Sequence, residues 1–189
     1  MIKHPLDYPW DFNSLFMSTN KFLKQTHSLL PPNNHQQTFK IKILGGYTSN
    51  VLEDWIKIFS AYFGIIVDIE GSDWGPAFSM NVDTKSLRDF NLIICLNNQR
   101  DLINSPKQNQ STVDLPLVEG QLNRLINDIT GAGVPILMTA FDTTQPGFPS
   151  IEIDNSLTYK CLEANTIIMA KASKNSQLIF FSPQQLSVQ

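Results

Sequence analysis

Phe39-Lys40-Ile41-Lys42-Ile43-Leu44-Gly45-Gly46-Tyr47-Thr48-Ser49-Asn50 is the stretch of this chain that decides its fold. Apolar and polar residues alternate from Phe39 into the run that ends at Leu44, which is the pattern of a β-strand. Two glycines follow, and after them apolar residues recur at helical spacing. In an open α/β sheet, a glycine turn between strand and helix is a place where ligands bind, because the helix points unpaired backbone N–H groups at the turn.

The rest of the chain repeats this alternation of strands and helices. Apolar runs predict strands at 39–44, 65–69, 92–96, 135–141 and 177–181. Helical spacing predicts helices after Asn50, over 116–131 and over 157–172, with residues 72–90 forming a loop that contains one short helix. We therefore predict an α/β fold: a three-layer α/β/α sandwich with a parallel five-stranded sheet.

A separate pattern precedes the first strand. Over residues 10–30, apolar residues recur mostly at the spacing of one helix face, at Phe12, Leu15, Phe16, Thr19, Phe22 and Leu23. Two prolines, Pro31 and Pro32, end this pattern. We predict an N-terminal helical extension and linker over residues 1–37, followed by the α/β domain over 38–189.

The composition of the chain limits the classes of partner that we expect it to bind. The chain has 189 residues, of which 42% are hydrophobic, and a formal net charge of −3 without charge blocks. That balance predicts neither a nucleic-acid partner nor a membrane partner. No apolar run is long enough to span a bilayer and no secretory leader is visible, so we expect a cytoplasmic protein.

Cys95 and Cys161 lie far apart without metal-ligand spacing, which predicts buried thiols and no metal site.

The loops after the first, third and fourth strands share one edge of a parallel sheet, so their polar residues are candidates for a common site. We predict a binding site from Gly46, Tyr47, Thr48, Ser49, Asn97, Asn98, Arg100 and Asp142, and we name Ser49 and Asp101 as candidate catalytic residues.

Each candidate also has a structural interpretation. Thr48 and Ser49 are typical helix N-caps, and Ser49 would need a base to act as a nucleophile. Asn97 and Asn98 could donate to a carbonyl or phosphate oxygen, or cap the following turn. Arg100 could bind an anion or form an ion pair with Asp101. Asp101 and Asp142 are possible bases, although an ordinary aspartate is poorly matched to an alcohol.

Four motifs resemble the N-terminal domain of FkbH-like proteins. They are Tyr8-Pro9-Trp10-Asp11-Phe12, Ile43-Leu44-Gly45-Gly46-Tyr47-Thr48-Ser49, Leu96-Asn97-Asn98-Gln99-Arg100-Asp101-Leu102 and Leu137-Met138-Thr139-Ala140-Phe141. FkbH-like proteins belong to subfamily IIIC of the HAD superfamily, in which an SGNH-hydrolase-like domain precedes a phosphatase-type HAD domain. The resemblance implies an SGNH-hydrolase-like, flavodoxin-like fold. It also implies a transferase system that loads a glyceryl unit onto an acyl carrier protein in polyketide biosynthesis.

Two departures from the family pattern shape the predicted function. The chain has no Asp-x-Asp-x-Thr/Val motif, so we expect no cofactor in this domain and Mg²⁺ only in a HAD domain supplied in cis or in trans. Tyr47 also stands where an SGNH hydrolase has its serine, and His4, His27 and His35 all precede the first strand.

We therefore predict a non-catalytic or degenerate SGNH-like domain that docks the acyl carrier protein or its phosphopantetheine-bound substrate. Two alternatives remain open at this stage. One is an esterase or acyltransferase that uses Ser49, and the other is a purely structural or dimerisation domain.

Overall fold

The computed structural model describes residues 19–21, 38–45, 50–71, 75–103, 114–143 and 157–182. Its contacts divide the chain into two compact units, residues 1–41 with 48–70 and residues 42–47 with 71–189. The first strand, β1 (Phe39–Leu44), contributes its first half to one unit and its second half to the other.

The first unit contains the helix α1 (Asn50–Tyr62) and most of the strand β2 (Val67–Gly71). The Phe39 N–H donates to the Ile66 carbonyl at 2.8 Å, so β1 begins beside the residue that precedes β2. Ile58 of α1 is fully buried, and three half-buried rings pack around it, those of Trp55, Phe59 and Tyr62.

The second unit is built on three parallel strands, β3 (Leu92–Cys95), β4 (Ile136–Thr139) and β5 (Leu178–Phe181). Its helices are α2 (Thr84–Leu87), α3 (Gln99–Ile103), α4 (Leu115–Gly131) and α5 (Leu157–Ala172), with a 3₁₀ turn at Ala77–Ser79.

The register of the strands aligns their apolar side chains into the core of this unit. Ile93 pairs with Ile136, and Ile136 pairs with Leu178, so the three buried residues form a row across the sheet. The apolar faces of α4 and α5 belong to the same core through Val118, Leu122, Leu125, Ile129, Cys161, Ala164 and Ile168. Strands that are apolar on both faces are typical of a covered parallel sheet.

The order of the strands is β2-β1-β3-β4-β5, and all of them are parallel. The predicted α/β fold with a five-stranded parallel sheet flanked by helices is confirmed. This order is the flavodoxin-like one, in which the direction of strand addition reverses between β1 and β3. Ligands in such folds bind at the carboxyl ends of the strands beside that reversal.

Several boundaries differ from the predicted ones. β2 lies two residues later than predicted, and β4 is shorter, spanning Ile136–Thr139 where 135–141 was predicted. The helix α3 was not predicted, since five residues are too few to show a helical period. α4 begins one residue before Pro116, where the Asp114 side chain accepts from the Leu117 N–H at 3.1 Å.

The N-terminal segment is described only at residues 19–21, which are helical as predicted. The predicted domain boundary after residue 37 adjoins residues outside the described ranges and stays a prediction. Across the described part of the chain, no helix is both long enough and apolar enough to cross a membrane.

Candidate functional site

The ends of β1 and β3 meet closely at the reversal point of the sheet. The Leu96 N–H donates to the Leu44 carbonyl at 2.8 Å. Gly45 follows with a φ of 149°, a conformation that side-chain-bearing residues rarely adopt, and a Cβ atom there would lie 2.8 Å from the Leu96 carbonyl oxygen. Glycine is therefore required at this position by both the backbone angle and the space. The turn after β1 begins directly against the end of β3.

Asp101 holds the start of α3. Its Oδ2 accepts a hydrogen bond from the Asn98 N–H at 3.0 Å, while the Asp101 N–H donates to the Asn98 carbonyl at 2.9 Å. The first bond is the carboxylate half of a capping box, in which the third helical residue accepts from the N–H of the residue before the helix, and the second is a backbone bond that closes the first turn. Asp101 is only 5% exposed. Its carboxylate is therefore placed to order this loop, and its candidate role as a base stays a prediction.

Asn97 links the ends of β3 and β4. Its N–H donates to Thr139 Oγ1 at 2.8 Å, and its Nδ2 donates to the Thr139 carbonyl at 2.7 Å. A carbonyl oxygen accepts hydrogen bonds, so the atom of the Asn97 side chain that faces it is the amide nitrogen. The other polar atom of this side chain is Oδ1. Among the described residues, it is one of three buried side-chain oxygens with no hydrogen-bond partner, together with those of Gln121 and Asn123. The amide nitrogen of the Asn97 side chain is therefore engaged in a hydrogen bond within the fold.

Asn165 fixes the chain just after β4, and the sequence analysis missed it. Its Oδ1 accepts from the Phe141 N–H at 2.7 Å, and its Nδ2 donates to the Phe141 carbonyl at 3.0 Å. The Phe141 ring is buried against Phe78, with 5.9 Å between the ring centroids. Asp142, the next residue, is exposed. One side chain from α5 therefore sets the course of the chain as it leaves the sheet at the candidate site.

The other predicted site residues are only partly described. Arg100 is the second residue of α3, and its side chain is outside the description. Gly46, Tyr47, Thr48 and Ser49 lie outside the described residues, as do the three histidines. The structure brings Gly45, Asn97, Asn98, Asp101 and Asp142 to the carboxyl ends of β1, β3 and β4.

Both cysteines are free and buried, as the sequence analysis predicted. Burial raises the pKa of the Cys95 thiol to about 12. Burial, and then the nearby charge of Asp142, raises the pKa of Cys161 to about 12. The thiolate is the reactive form of cysteine, so both groups are poor nucleophiles at neutral pH. Within the described ranges, no group of three or more His, Cys, Asp or Glu residues could hold a metal ion.

We predict that a thiol reagent at pH 8 labels neither cysteine of the folded chain. A pKa raised by three units leaves about a thousandfold less thiolate than an ordinary cysteine has. Ser173→Cys, which places a thiol at an exposed position, supplies the reference rate, and the same reagent in urea should label both native thiols. Native-state labelling of Cys95 or Cys161 at the Ser173→Cys rate would contradict the burial of these groups.

No family model matches the chain, and no curated protein matches it. Its structure is similar to the N-terminal part of the protein BF1531 from Bacteroides fragilis, which contains a phosphatase domain and is complexed with Mg. The TM-score is 0.66 at 14% identity, and the match covers 92% of this chain and 46% of that one. The chain therefore spans about half the length of that relative. At this identity the similarity shows a shared fold.

Two further structures match less well. A candidate acylhydrolase from Bacteroides fragilis, BF3764, has a TM-score of 0.47 at 13% identity over 86% of this chain and 75% of that one. A cysteine desulfurase from Thermococcus onnurineus NA1 has a TM-score of 0.26 at 13% identity over 65% of this chain and 26% of that one.

Proposed function

We propose that this chain is the SGNH-like binding domain of an FkbH-like system, where it docks an acyl carrier protein and performs no hydrolysis itself. The observation that carries the proposal is the reversal point between β1 and β3, because flavodoxin-like sheets hold their ligands there. Gly45 lies directly against Leu96, so the turn that follows β1 starts at the end of β3.

The ligand we assign to this reversal point is the phosphopantetheine arm of the carrier. That arm is anionic where it attaches to the carrier protein. Arg100 carries a guanidinium that can bind two phosphate oxygens at once, and a glycine turn between a strand and a helix is a common place for a phosphate to bind. The capping bonds between Asn98 and Asp101 favour this role, since they fix the backbone that carries Arg100.

Binding without hydrolysis is supported by the state of the candidate catalytic groups. Asp101 is nearly buried and already accepts a backbone hydrogen bond, which makes it a poor base for an incoming alcohol. No histidine follows His35, and Tyr47 occupies the position at which the SGNH pattern needs a serine. A nucleophilic alcohol needs a positioned base, so Ser49 alone does not make a hydrolase.

The partner that completes the system is a phosphatase-type HAD domain, in cis or in trans, to which we assign the Mg²⁺. The fold shared with the N-terminal part of BF1531, which contains a phosphatase domain, supports this pairing. In the system we propose, the reaction is glyceryl transfer to the carrier in polyketide-type biosynthesis. We place it in the cytoplasm, where free thiols such as those of Cys95 and Cys161 persist.

Titration of the ¹⁵N-labelled chain with 4′-phosphopantetheine, and with a carrier protein in its phosphopantetheinylated and unmodified forms, tests the proposal. We expect amide shifts at Gly45, Leu96 and Asn98 with the modified carrier and with the free arm. Arg100→Ala should weaken binding of the arm by about tenfold or more, as for a lost charged hydrogen bond. Arg124→Ala removes an exposed arginine from α4 and is the matched control.

Unchanged spectra at these three amides would reject the proposed site. A loss of affinity in Arg124→Ala equal to that in Arg100→Ala would show that only the net charge matters. Hydrolysis of p-nitrophenyl acetate that disappears in Ser49→Ala would instead establish an esterase and overturn the non-catalytic assignment.

A further inference from the structure

The two edge strands of the sheet differ in charge. β2, at one edge, places two carboxylates, those of Asp68 and Glu70, at exposed positions. β5, at the other edge, consists only of leucine, isoleucine and phenylalanine. Charged side chains on an edge strand prevent other chains from pairing with it, and an apolar edge strand lacks that protection. Among the described strands, β5 is therefore the edge to which a further strand can be added.

The backbone groups of Phe180 point away from the rest of the sheet. The carbonyls of Gln177 and Phe181 accept from the Ile136 and Ala140 N–H groups, at 2.7 and 2.8 Å. Backbone groups of alternate residues in a strand point to the same side, so residues 177, 179 and 181 face β4. The N–H and the carbonyl of Phe180 thus face the outer edge of β5, where the described part of the chain places no other strand.

Exposed apolar side chains lie on both sides of this outer edge. Ile179 is 51% exposed, and Leu162 and Met169 of α5 are 51% and 50% exposed. Among the described residues of the second unit, no other large apolar side chain is exposed. Leu178 belongs to the core that α5 covers, so the next side chain, Ile179, points to the opposite face of the sheet. The apolar surface of this unit is concentrated at one end of its sheet.

Leu162 and Met169 lie on the flank of α5 that is turned towards this edge. They are seven residues apart, so they project within about 20° of each other. Ile167 packs against the core about 150° around the helix from them. α4 and α5 contact each other and precede β4 and β5 in turn, so α4 lies on the inner side of α5. The flank opposite Ile167 is therefore the outer one.

We infer that two copies of this chain associate through the outer edge of β5 and the outer flank of α5, across a two-fold axis at Phe180. In this arrangement β5 pairs antiparallel with β5 of the partner. The N–H of each Phe180 then donates to the carbonyl of the other, as in a hydrogen-bonded pair of an antiparallel ladder. The same axis makes the two α5 helices antiparallel, so Leu162 of each copy lies opposite Met169 of the other.

Charge favours a second copy as the occupant. A two-fold interface brings a surface against the same surface of the partner, so any charge near the axis faces a like charge. The outer flank of α5 from Leu162 to Met169 carries only uncharged side chains, and β5 has none that is charged. The surface can therefore bury its exposed apolar side chains against itself without repulsion. The β2 edge cannot do so, because Asp68 and Glu70 would face their own copies.

Sedimentation equilibrium of the full chain tests the association. We expect a dimer that dissociates on dilution. Ile179→Lys, Leu162→Glu and Met169→Lys should each raise the dissociation constant by about tenfold or more, because each places an unpaired charge in the interface. Phe63→Lys is the matched control, since Phe63 is an apolar residue of the first unit that is 72% exposed. A chain that is monomeric at every concentration, or equal weakening by Phe63→Lys, would overturn the inference.

Mixing two variants tests the antiparallel arrangement of the helices. In a dimer of Leu162→Glu with Met169→Lys, the introduced carboxylate faces the introduced ammonium group, and Met169 of one chain faces Leu162 of the other. We expect this mixture to dimerise more tightly than either variant alone. Leu162→Glu mixed with Leu162→Lys carries the same charges without facing each other and should gain nothing. Equal behaviour of the two mixtures would overturn the pairing of α5 with α5.

Amide hydrogen exchange tests the pairing of the strands. The Phe180 N–H should exchange about tenfold or more slowly in the dimer than in the Met169→Lys variant at a concentration where that variant is monomeric. The Phe181 N–H faces β4 within each chain and is the internal reference. Equal exchange of the Phe180 amide in both states would refute the addition of one β5 to the other.

Discussion

Gly45→Ala is expected to destabilise the chain by about 3 kcal/mol, by adding backbone strain to steric overlap. The φ of 149° at Gly45 is nearly inaccessible to alanine. The new Cβ would also lie 2.8 Å from the Leu96 carbonyl oxygen and 3.0 Å from the Leu96 Cβ. Neither neighbour can move easily, because the Leu96 N–H is bonded to Leu44. The strain can be relieved only by separating the ends of β1 and β3.

Substitutions at two other glycines distinguish backbone strain from steric overlap. Gly133 has a φ of 80°, and no atom lies within 4 Å of the position that an alanine Cβ would take, so Gly133→Ala should show backbone strain alone, about 1 kcal/mol. Gly120 lies inside α4 with open space around it, so Gly120→Ala should stabilise the chain by about 0.5–1 kcal/mol. Urea unfolding followed by circular dichroism measures all three changes. Equal losses in Gly45→Ala and Gly133→Ala would show that β1 and β3 do not approach this closely.

The strands and long helices of this fold could be predicted from the sequence because each has a repeating pattern. The predicted limits of α5 coincide with the observed Leu157–Ala172, and the predicted first strand coincides with β1. Apolar periodicity is a local property, and over several residues it distinguishes strand from helix. Where an element is too short for the pattern to repeat, as in the five-residue α3, the sequence contains no such signal.

The candidate site was only partly predictable for a different reason. The strand ends could be placed on one edge of the sheet, but which side chains bind one another there depends on long-range contacts. Asn97 bonds to Thr139, 42 residues away, and Asn165 bonds to Phe141, 24 residues away. No spacing rule connects such pairs. The capping of Asn98 by Asp101 did have a local signal, since an acidic residue three positions after an N-cap is a known pattern.

Asn165→Ala is expected to destabilise the chain by about 3 kcal/mol, because it leaves two backbone groups of a buried residue without partners. Phe141 is 1% exposed, and both its N–H and its carbonyl bond to the Asn165 side chain. Each buried group that loses its partner costs about 1–3 kcal/mol. Thr166→Ala is the matched control on the same helix, because the Thr166 hydroxyl bonds only within α5 to the Leu162 carbonyl. We expect that control to change stability by about 0.5 kcal/mol or less.

The pH dependence of the Asn165→Asp variant distinguishes the two hydrogen bonds that the Asn165 side chain makes to Phe141. The introduced carboxylate can accept from the Phe141 N–H, but it faces the Phe141 carbonyl oxygen and can donate to it only when protonated. This raises the pKa of the introduced carboxyl above its unfolded value. The stability contributed by the protonated form is therefore present below the unfolded pKa and is lost as the pH rises through the folded pKa. Urea unfolding at pH 4 and pH 8 should show Asn165→Asp closer to the parent chain at pH 4, whereas the same difference at both pH values would mean that the side chain does not bridge both groups of Phe141.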